Sequence, residues 1–568
     1  MAESAEKTIL GHPRGLVILF LTEMWERFSY YGMRALLIIY LTQHFLMSDE
    51  SSSVLYGAYG ALVYVMTIIG GSLADRYLGA RKAVTFGAIL LTFGHFGMAF
   101  EGEGSRQLVT HGDNQYEIVL DGRGGDARQQ ILTDLGVSYI NFTETSMNIA
   151  EPESVGLAPS IDLSEFTMSV ETEEKYLNIL YLSLALIIAG VGFLKANIST
   201  IVGSLYGFGD SRRDSGFTIF YMGINMGAFL ASLSCGYLGI VHGWKYGFGL
   251  AGAGMLLGLI IFLSCQSWLD GKAEPPSPEK LKEKVFIGIN VEWLCYSVGL
   301  GIIAVSMLLV MNADLVGGIL GPVGILMFIW LVSHAFTQLQ GDERSRMLAA
   351  VYFVLAQIPF WALFEQAGSS LNLFTARLVD REMFGWSVPG PVFQSLNAGF
   401  IFLFAPIMAW LWIWLAKRKL NPSTPVKFAL GVAMAGLGFL ALVGGMKGSG
   451  AMGYTPVIFI FLIYWIHTMG ELMVSPVGLS AVTKLAPARI VGMTMGAWFL
   501  YSGLSNYLAG IIARTTGAET IGGQMINVAE AKAGYVEVYS RVGYIALGIA
   551  VLMLLISPTI TKMMRGAD

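Results

Sequence analysis

Six polar side chains recur at helical spacing near the start of the chain, inside the segment TEMWERFSYYGMRALLIIYL. They are Glu23, Glu26, Arg27, Tyr30, Tyr31 and Arg34. At roughly 100° per residue, this spacing puts all of them within about 140° of one helical face. A carboxylate beside a guanidinium stays ionised, and it takes up a proton when that partner leaves it in a dry cavity. The stripe therefore has the residue types that reversible proton binding requires.

The chemistry of this stripe depends on its surroundings, and the composition predicts a membrane protein. Of 568 residues, 54% are hydrophobic and 13% are charged, whereas about 25% of an ordinary soluble domain is charged. Four ionisable groups facing lipid would cost on the order of 10 kcal/mol. The stripe must therefore face protein or water. A ladder of internal salt bridges that only locks helices together is the alternative interpretation.

Other kinds of site and partner lack their sequence signals. The net charge is -5 and no basic stripe with interleaved aromatics occurs, so we expect no nucleic-acid partner. Cys235, Cys265 and Cys295 lie in apolar stretches without CxxC spacing, which predicts neither a disulfide framework nor a zinc site. The chain has neither HExxH nor GxSxG, so neither a zinc protease nor a serine hydrolase is indicated. We expect no enzyme, no metal and no cofactor.

Long apolar runs predict the elements that hold the stripe. A spanning helix needs about 20 largely apolar residues. Fourteen candidates occur, at 14–45, 54–76, 82–101, 176–203, 214–238, 243–268, 287–311, 316–338, 347–377, 391–416, 426–446, 453–483, 489–513 and 540–561. If all fourteen cross, the Arg- and Lys-rich loops at 75–82, 205–213 and 417–427 share one side. The positive-inside rule then predicts that this side, with both termini, is cytoplasmic.

Two polar segments interrupt the apolar runs. Residues 102–174 are acidic and fall outside by the same topology, and their pieces YEIVL and VSYINF predict strands of a small hairpin or sheet. A charged, proline-containing linker follows at 269–286. We expect a six-helix bundle over 1–268, the linker with two extra transmembrane helices over 269–345, and a second six-helix bundle over 346–568. Two such bundles are the arrangement of a major facilitator transporter, although a channel or a membrane enzyme could also have fourteen spans.

The polar stripe also resembles a known family. Residues 23–32 complete the pattern ExxERFxYYG, the first-helix signature of the proton-dependent oligopeptide transporters, a peptide transporter family of the major facilitator superfamily. Further segments are similar to motifs of that family, namely GSLADRYLGARK at 71–82, FYMGINMG at 220–227, FEQ at 364–366 and GELMVSPVGLS at 470–480. The resemblance covers both halves but not 102–174. The two helices after the linker resemble an extra pair common in bacterial members.

The resemblance implies an all-α integral membrane protein with the major facilitator fold, which imports di- and tripeptides together with protons by alternating access. It assigns proton coupling to Glu23, Glu26, Arg27, Lys195 and Glu365. It assigns peptide binding to Arg27, Tyr31, Lys195, Tyr221, Asn225, Asn397, Glu471, Trp498 and Ser502. Arg34 and Glu365 look like the family's ion pair between the two halves. Lys195 and Glu471 lie in opposite halves, and we expect that they can pair across the central cavity.

These roles fit the chemistry of a small peptide. A di- or tripeptide is a zwitterion with variable side chains, so its carrier should hold both ends and leave the middle roomy. Arg27 and Lys195 can take the carboxylate, while Glu471 and Asn397 can take the ammonium. We expect the partners to be small peptides, protons and the lipid bilayer, and the proton gradient to supply the energy. We also expect a monomer in the inner (plasma) membrane.

Other functions remain open at this stage. A relative on the same scaffold could carry nitrate or another small anion, although such an ion has no ammonium for Glu471. In a channel or a scaffold, the carboxylates within the predicted membrane helices would have no function. His467 lies four residues before Glu471 and so on the same helical face, but hydrogen-bonded packing is the expected role for it and for His95.

Overall fold

The computed structural model describes residues 7–122, 128–143, 145–207, 209–286 and 288–566. Fourteen helices of 19 residues or more lie in these ranges. In chain order they are α1 Gly15–Gln43, α2 Asp49–Leu73, α3 Ala80–Met98, α4 Glu174–Leu205, α5 Arg213–Val241, α6 Trp244–Ser264, α7 Val291–Met311, α8 Ala313–Gln338, α9 Gly341–Phe364, α10 Ser395–Lys417, α11 Thr424–Gly448, α12 Ile458–Leu485, α13 Val491–Arg514 and α14 Val528–Met563. By length and composition, eleven of them can cross a membrane, all except α1, α3 and α13. The chain is a helical membrane protein, and fourteen crossings stay a prediction.

The predicted span 347–377 lies within one candidate membrane span, Gly341–Leu378, but it is not one continuous α-helix. The α9 helix ends at Phe364, a 3-10 turn covers Glu365–Gly368, and a short helix follows at Ser370–Leu378. The turn brings its backbone against the hydroxyl of Tyr56 on α2, and a side chain at Gly368 would collide with that hydroxyl. The apolar run continues through the break, so hydropathy does not reveal it.

The last predicted span, 540–561, is too short at its start. The α14 helix begins at Val528, where the side chain of Asn527 accepts a hydrogen bond from Glu530 N at 3.0 Å. Along this first part, Tyr535 and Tyr539 are one helical turn apart and both are buried. The extension is amphipathic, and a criterion based on uninterrupted apolar residues misses it.

The buried apolar side chains form two large clusters. One is drawn mainly from α1–α7 and the first part of α8, from Leu16 to Leu320. The other joins the end of α8 to α9–α14, from Leu331 to Met564. We refer to α1–α6 as the amino-terminal half and to α9–α14 as the carboxy-terminal half. The α7 helix packs on α2 and α4, while α8 packs on α2, α9 and α13, so the extra pair contacts both halves.

A seven-stranded antiparallel sheet, the insertion sheet, lies between α3 and α4. Its strands are β1 Arg106–His111, β2 Asn114–Asp121, β3 Arg128–Thr133, β4 Gly136–Phe142, β5 Ser146–Ile149, β6 Ser160–Asp162 and β7 Phe166–Glu171. They are ordered β6-β5-β4-β3-β2-β1-β7. The predicted strands YEIVL and VSYINF lie within β2 and β4. The element is a full sheet with its own apolar core rather than a hairpin.

The insertion sheet marks one end of the helix bundle, the sheet end. At the opposite end, the linker end, the residues before α1 meet the linker, because Arg14 contacts Asp270 at 2.7 Å. Arg81 contacts Glu274 of the linker at 2.6 Å. Small elements complete the described chain. The helical ones are Pro152–Val155 and Pro278–Lys282, the π-helix Ala74–Leu78, and the 3-10 helices Leu163–Glu165, Gln266–Leu269 and Gly390–Gln394. The strand pairs are Thr8–Ile9 with His12–Pro13, Lys284–Phe286 with Ile289–Asn290, Val379–Asp380 with Thr455–Pro456, Glu382–Met383 with Trp386–Ser387, and Thr520–Ile521 with Gln524–Met525.

Candidate functional site

A polar cavity of about 300 Å³ lies between the two halves. Helices α1, α2, α4 and α5 line one side, and α9, α10, α12 and α13 line the other. The structure brings together at this cavity most of the residues that the sequence singles out: Glu23, Arg27, Tyr31, Arg34, Lys195, Tyr221, Asn225, Glu365, Asn397, Glu471, Trp498 and Ser502. Glu26 and Tyr30 are not among its lining residues. Glu26 is fully buried behind Arg27.

Arg27 joins the two carboxylates of the stripe. Its guanidinium bonds both carboxylate oxygens of Glu26, with Nη2 donating to Oε1 at 2.8 Å and Nε donating to Oε2. Glu23 Oε1 lies 3.2 Å from Arg27 Nε. The second oxygen, Glu23 Oε2, is buried without a hydrogen-bond partner among the described residues. One cation therefore serves two carboxylates, and Glu23 is the less completely paired of them.

Lys195 supplies a second cation to this group. Its ammonium lies 4.1 Å from the ring centroid of Tyr64 on α2, a cation–π geometry that partly offsets desolvation. Tyr64 lines the cavity but is not singled out by the sequence. Tyr56 and Tyr64 are eight residues apart, which places them within about 80° on one helical face. That spacing is the one local signal that could have indicated a tyrosine face on α2.

Glu471 lies on the opposite wall and has a different neighbour. Asn397 Nδ2 donates to Glu471 Oε2 at 2.8 Å and to Thr468 Oγ1 at 3.1 Å. No salt bridge joins Glu471 to Lys195 in the described part of the chain. The two face the same cavity in this conformation, each with its own partner, so the cross-cavity pair stays a prediction. All the cations that line the cavity, Arg27, Arg34 and Lys195, lie on the amino-terminal half together with Glu23, while the carboxy-terminal half contributes only carboxylates, Glu365 and Glu471, among the charged lining residues described.

Some predicted binding residues already have partners within the protein. The Ser502 hydroxyl donates to Trp498 O at 2.9 Å and to Gln357 Oε1 at 3.2 Å. Asn225 Nδ2 donates to Tyr221 O of its own helix at 3.1 Å. In this conformation Ser502 ties α13 to α9, and one of the two N–H donors of the Asn225 amide is occupied. Both residues line the cavity, although these hydrogen bonds are made within the protein.

An ion pair closes the cavity towards the sheet end. The Arg34 guanidinium on α1 contacts Glu365 in the turn after α9, and its Nε donates to Tyr56 Oη at 2.7 Å. Beside this pair, Asn372 Nδ2 donates to Ala35 O at 2.9 Å. The structure contains the predicted contact between Arg34 and Glu365. This contact depends on the break after Phe364, because the turn places Glu365 beside Arg34.

A second cross-half ion pair lies nearer the sheet end, and the sequence does not predict it. Arg377 bonds both oxygens of Asp49, at 2.6 and 3.0 Å, with Asp49 fully buried. Ala518 N also donates to Asp49 Oδ2 at 3.1 Å. In sequence, Asp49 reads as an ordinary acid in the first turn of a helix, and its partner is more than 300 positions away. Among the described residues, no salt bridge joins the halves at the linker end.

His467 and His95 are packed away from the cavity, since neither is among its lining residues. His467 is buried and its Nε2 lies 3.0 Å from Ala435 O, which is the expected hydrogen-bonded packing role. His95 is also buried, but neither ring nitrogen has a partner among the described residues. The expectation of a hydrogen bond is wrong for His95. Cys235, Cys265 and Cys295 are free in this structure.

Comparison with known proteins gives consistent matches along the chain. The sequence profile of the POT family matches residues 81–528. An uncharacterised transporter, YclF of Bacillus subtilis (strain 168), is 35% identical over 99% of this chain and 97% of its own. The peptide transporter YePEPT of Yersinia enterocolitica is 33% identical over 89% and 88% of the two chains. A crystal structure of a peptide transporter, POT, in complex with sulfate superposes with a TM-score of 0.74 at 32% identity, covering 99% of this chain and 98% of that one.

Proposed function

Because the chain belongs to the POT family, we propose that it is a proton-coupled symporter that imports di- and tripeptides by alternating access. The observation that carries this proposal is the polarity of the cavity. Arg27 and Lys195 lie on one wall and Glu471 on the other. A peptide presents one carboxylate and one ammonium at opposite ends, and these match the two walls. A small inorganic anion would leave Glu471 buried without a cation.

The peptide's ends determine where it binds. Its carboxylate meets Arg27 and Lys195, and its ammonium meets Glu471, which Asn397 orients through their 2.8 Å hydrogen bond. Tyr31, Tyr221 and the other aromatic walls contact the variable side chains. A cavity of about 300 Å³ holds two or three residues when the walls also move. Recognition of the ends explains how one site accepts many peptides.

Charge balance explains the need for a proton. Glu23, Glu26, Arg27 and Lys195 sum to zero when all four are ionised. A peptide carboxylate that arrives at Arg27 and Lys195 adds one negative charge in a region where unpaired charge is expensive. One proton on Glu23 or Glu26 restores neutrality. Glu23 is the better acceptor because one of its oxygens has no hydrogen-bond partner in the part of the chain that the structure describes. Peptide and proton therefore bind together. Protonation of Glu365 can also contribute, because a neutral Glu365 releases Arg34 from their ion pair.

The ion pairs give the direction of the cycle. Arg34 with Glu365, and Asp49 with Arg377, hold the halves together at the sheet end. We assign the sheet end to the outside and the linker end to the cytoplasm, with both termini, in the inner (plasma) membrane. The conformation is then closed to the outside. The cycle needs no cofactor, since the proton gradient drives it, and one cavity in one chain makes a monomer sufficient.

Uptake of a labelled dipeptide into proteoliposomes tests the proposal. Accumulation should require an inward proton gradient and collapse with a protonophore, whereas exchange of peptide against peptide should continue. An imposed membrane potential should also drive a neutral dipeptide, because one charge moved through 100 mV gains about 2.3 kcal/mol. Excess nitrate should not compete. Accumulation without a gradient, or competition by nitrate, would contradict the proposal.

The buried pair of Asp49 and Arg377 gives a separate prediction. Asp49→Asn and Arg377→Gln should each slow uptake about tenfold or more, because each leaves one buried charge without its partner. The double variant has no buried charge at this position, so its loss should be smaller than the sum of the two single losses. The measurement is initial uptake rate at equal amounts of folded protein. Strictly additive losses would show that the two residues do not act as a pair.

A further inference from the structure

The insertion sheet is joined covalently to the amino-terminal half, but its core includes a residue of the carboxy-terminal half. The hairpin between α13 and α14 pairs Thr520–Ile521 with Gln524–Met525, and we call it the docking hairpin. Ile521 at its tip is 3% exposed and belongs to the same apolar cluster as Val109 and Ile118 of the sheet. The hairpin therefore completes the core of the sheet.

Polar contacts fix the position of the docking hairpin. Gln129 Nε2 of β3 donates to Ile521 O, and Gly522 N donates to Gln107 Oε1 of β1 at 3.3 Å. Both glutamines are buried. Gly522 has φ +53°, and a β-carbon there would lie 3.2 Å from Gln129 Nε2. The glycine thus permits both the left-handed turn and the close approach to the sheet.

The sheet is also held firmly on its own half. Ser105 N donates to His44 O at 2.8 Å, just after α1. The His44 ring lies 2.9 Å from Glu101 O, and Lys245 N at the start of α6 donates to Glu101 Oε2 at 2.9 Å. The sheet is thus tied to α1 and α6 as well as to its flanking helices α3 and α4. It should move with the amino-terminal half as one body.

We propose that the insertion sheet is a latch that holds the sheet end closed. The docking hairpin lies on the same side of the molecule as the pair of Asp49 and Arg377 and belongs to the same half as Arg377. Opening the sheet end separates the halves, so Ile521 must leave the core of the sheet in each cycle. Docking therefore shifts the equilibrium towards the conformation that is closed at this end. The inference rests on the proposed alternating access but not on the identity of the solute.

A distance measurement between the halves tests the latch without any substrate. Spin labels attached at Ser51→Cys and Asp380→Cys, which are both exposed at the sheet end, report opening in proteoliposomes; the background has Cys235, Cys265 and Cys295 replaced. Ile521→Asp should raise the ratio of open to closed conformations about tenfold or more, because it puts a charge into an apolar core. The matched control is Leu132→Asp on the exposed face of β3, where Leu132 is 40% exposed, and it should leave the distances unchanged.

A milder substitution provides a second test and does not depend on tolerance of a buried aspartate. Ile521→Ala removes most of an apolar side chain from the core of the sheet without adding a charge. It should raise the ratio of open to closed conformations in the same direction, by about tenfold. If a folded Ile521→Asp or Ile521→Ala keeps the normal distances, the hairpin moves together with the sheet and the latch does not exist. If the protein failed to take up peptide, these distances would still show whether the latch exists, because they are measured without substrate.

Discussion

Glu471→Gln is expected to abolish gradient-driven dipeptide transport while the protein still folds. The substitution keeps a group that can bond Asn397, whose Nδ2 now lies 2.8 Å from Glu471 Oε2. It removes a carboxylate from that wall, and the other lining carboxylate there, Glu365, is paired with Arg34. The peptide's ammonium then enters a buried site without a counter-charge. Leaving one charge of a buried pair unmatched costs about 3 to 5 kcal/mol, or several hundredfold in affinity or rate.

Acetylated peptides separate this role from a general loss of function. Blocking the amino terminus should weaken competition at the normal protein about 10- to 100-fold, because a charged hydrogen bond is lost. Acetylation should weaken competition much less at the Glu471→Gln variant, because that variant has no carboxylate to pair with the ammonium. Glu343→Gln, at an exposed position on the same half, is the matched control and should behave as the normal protein. Equal losses on acetylation in both proteins would show that Glu471 does not hold the ammonium.

Glu23→Gln and Glu26→Gln are expected to uncouple peptide movement from the proton. Each amide keeps nearly the shape of the carboxylate but cannot bind and release a proton at this position. The amide is uncharged, like the protonated carboxylate, so the net charge of this group with Arg27 and Lys195 stays at the value that favours bound peptide. Uptake against a gradient should fall to about the level of empty liposomes in both variants, while exchange of peptide for peptide should survive in Glu23→Gln. The measurement compares both modes at equal protein.

The two carboxylates should differ in severity. Glu26 is fully buried and bonds Arg27 through both oxygens, so Glu26→Gln also disturbs the position of the guanidinium and should weaken exchange. One oxygen of Glu23 has no hydrogen-bond partner among the described residues, so Glu23→Gln should affect driven uptake alone. Glu103→Gln, on the exposed side of the sheet end, is the control. Normal driven uptake in both helix variants would rule out the stripe as the proton site.

The helical stripe could be read from the sequence because its signal is local. The spacing of Glu23, Glu26 and Arg27 fixes a common face on any α-helix, and the energy of charge in lipid requires that face to point inwards. The family resemblance added Lys195 and Glu471, which have no spacing relation to the stripe. The apolar runs gave most helices, since twenty consecutive apolar residues are themselves a physical requirement for crossing a membrane.

The tertiary structure alone decided the contacts between distant segments. Asp49 with Arg377, Lys195 over Tyr64 and Gln129 with Ile521 each join parts of the chain that share no periodicity. The break that places Glu365 near Arg34 lies inside a continuous apolar run, because the turn is set by packing against Tyr56 and not by hydropathy. The sequence alone therefore predicts the chemistry of the first helix, because composition and helical periodicity are properties of a single element. Which groups face each other, and which end of the cavity is closed, depends on how the two halves pack.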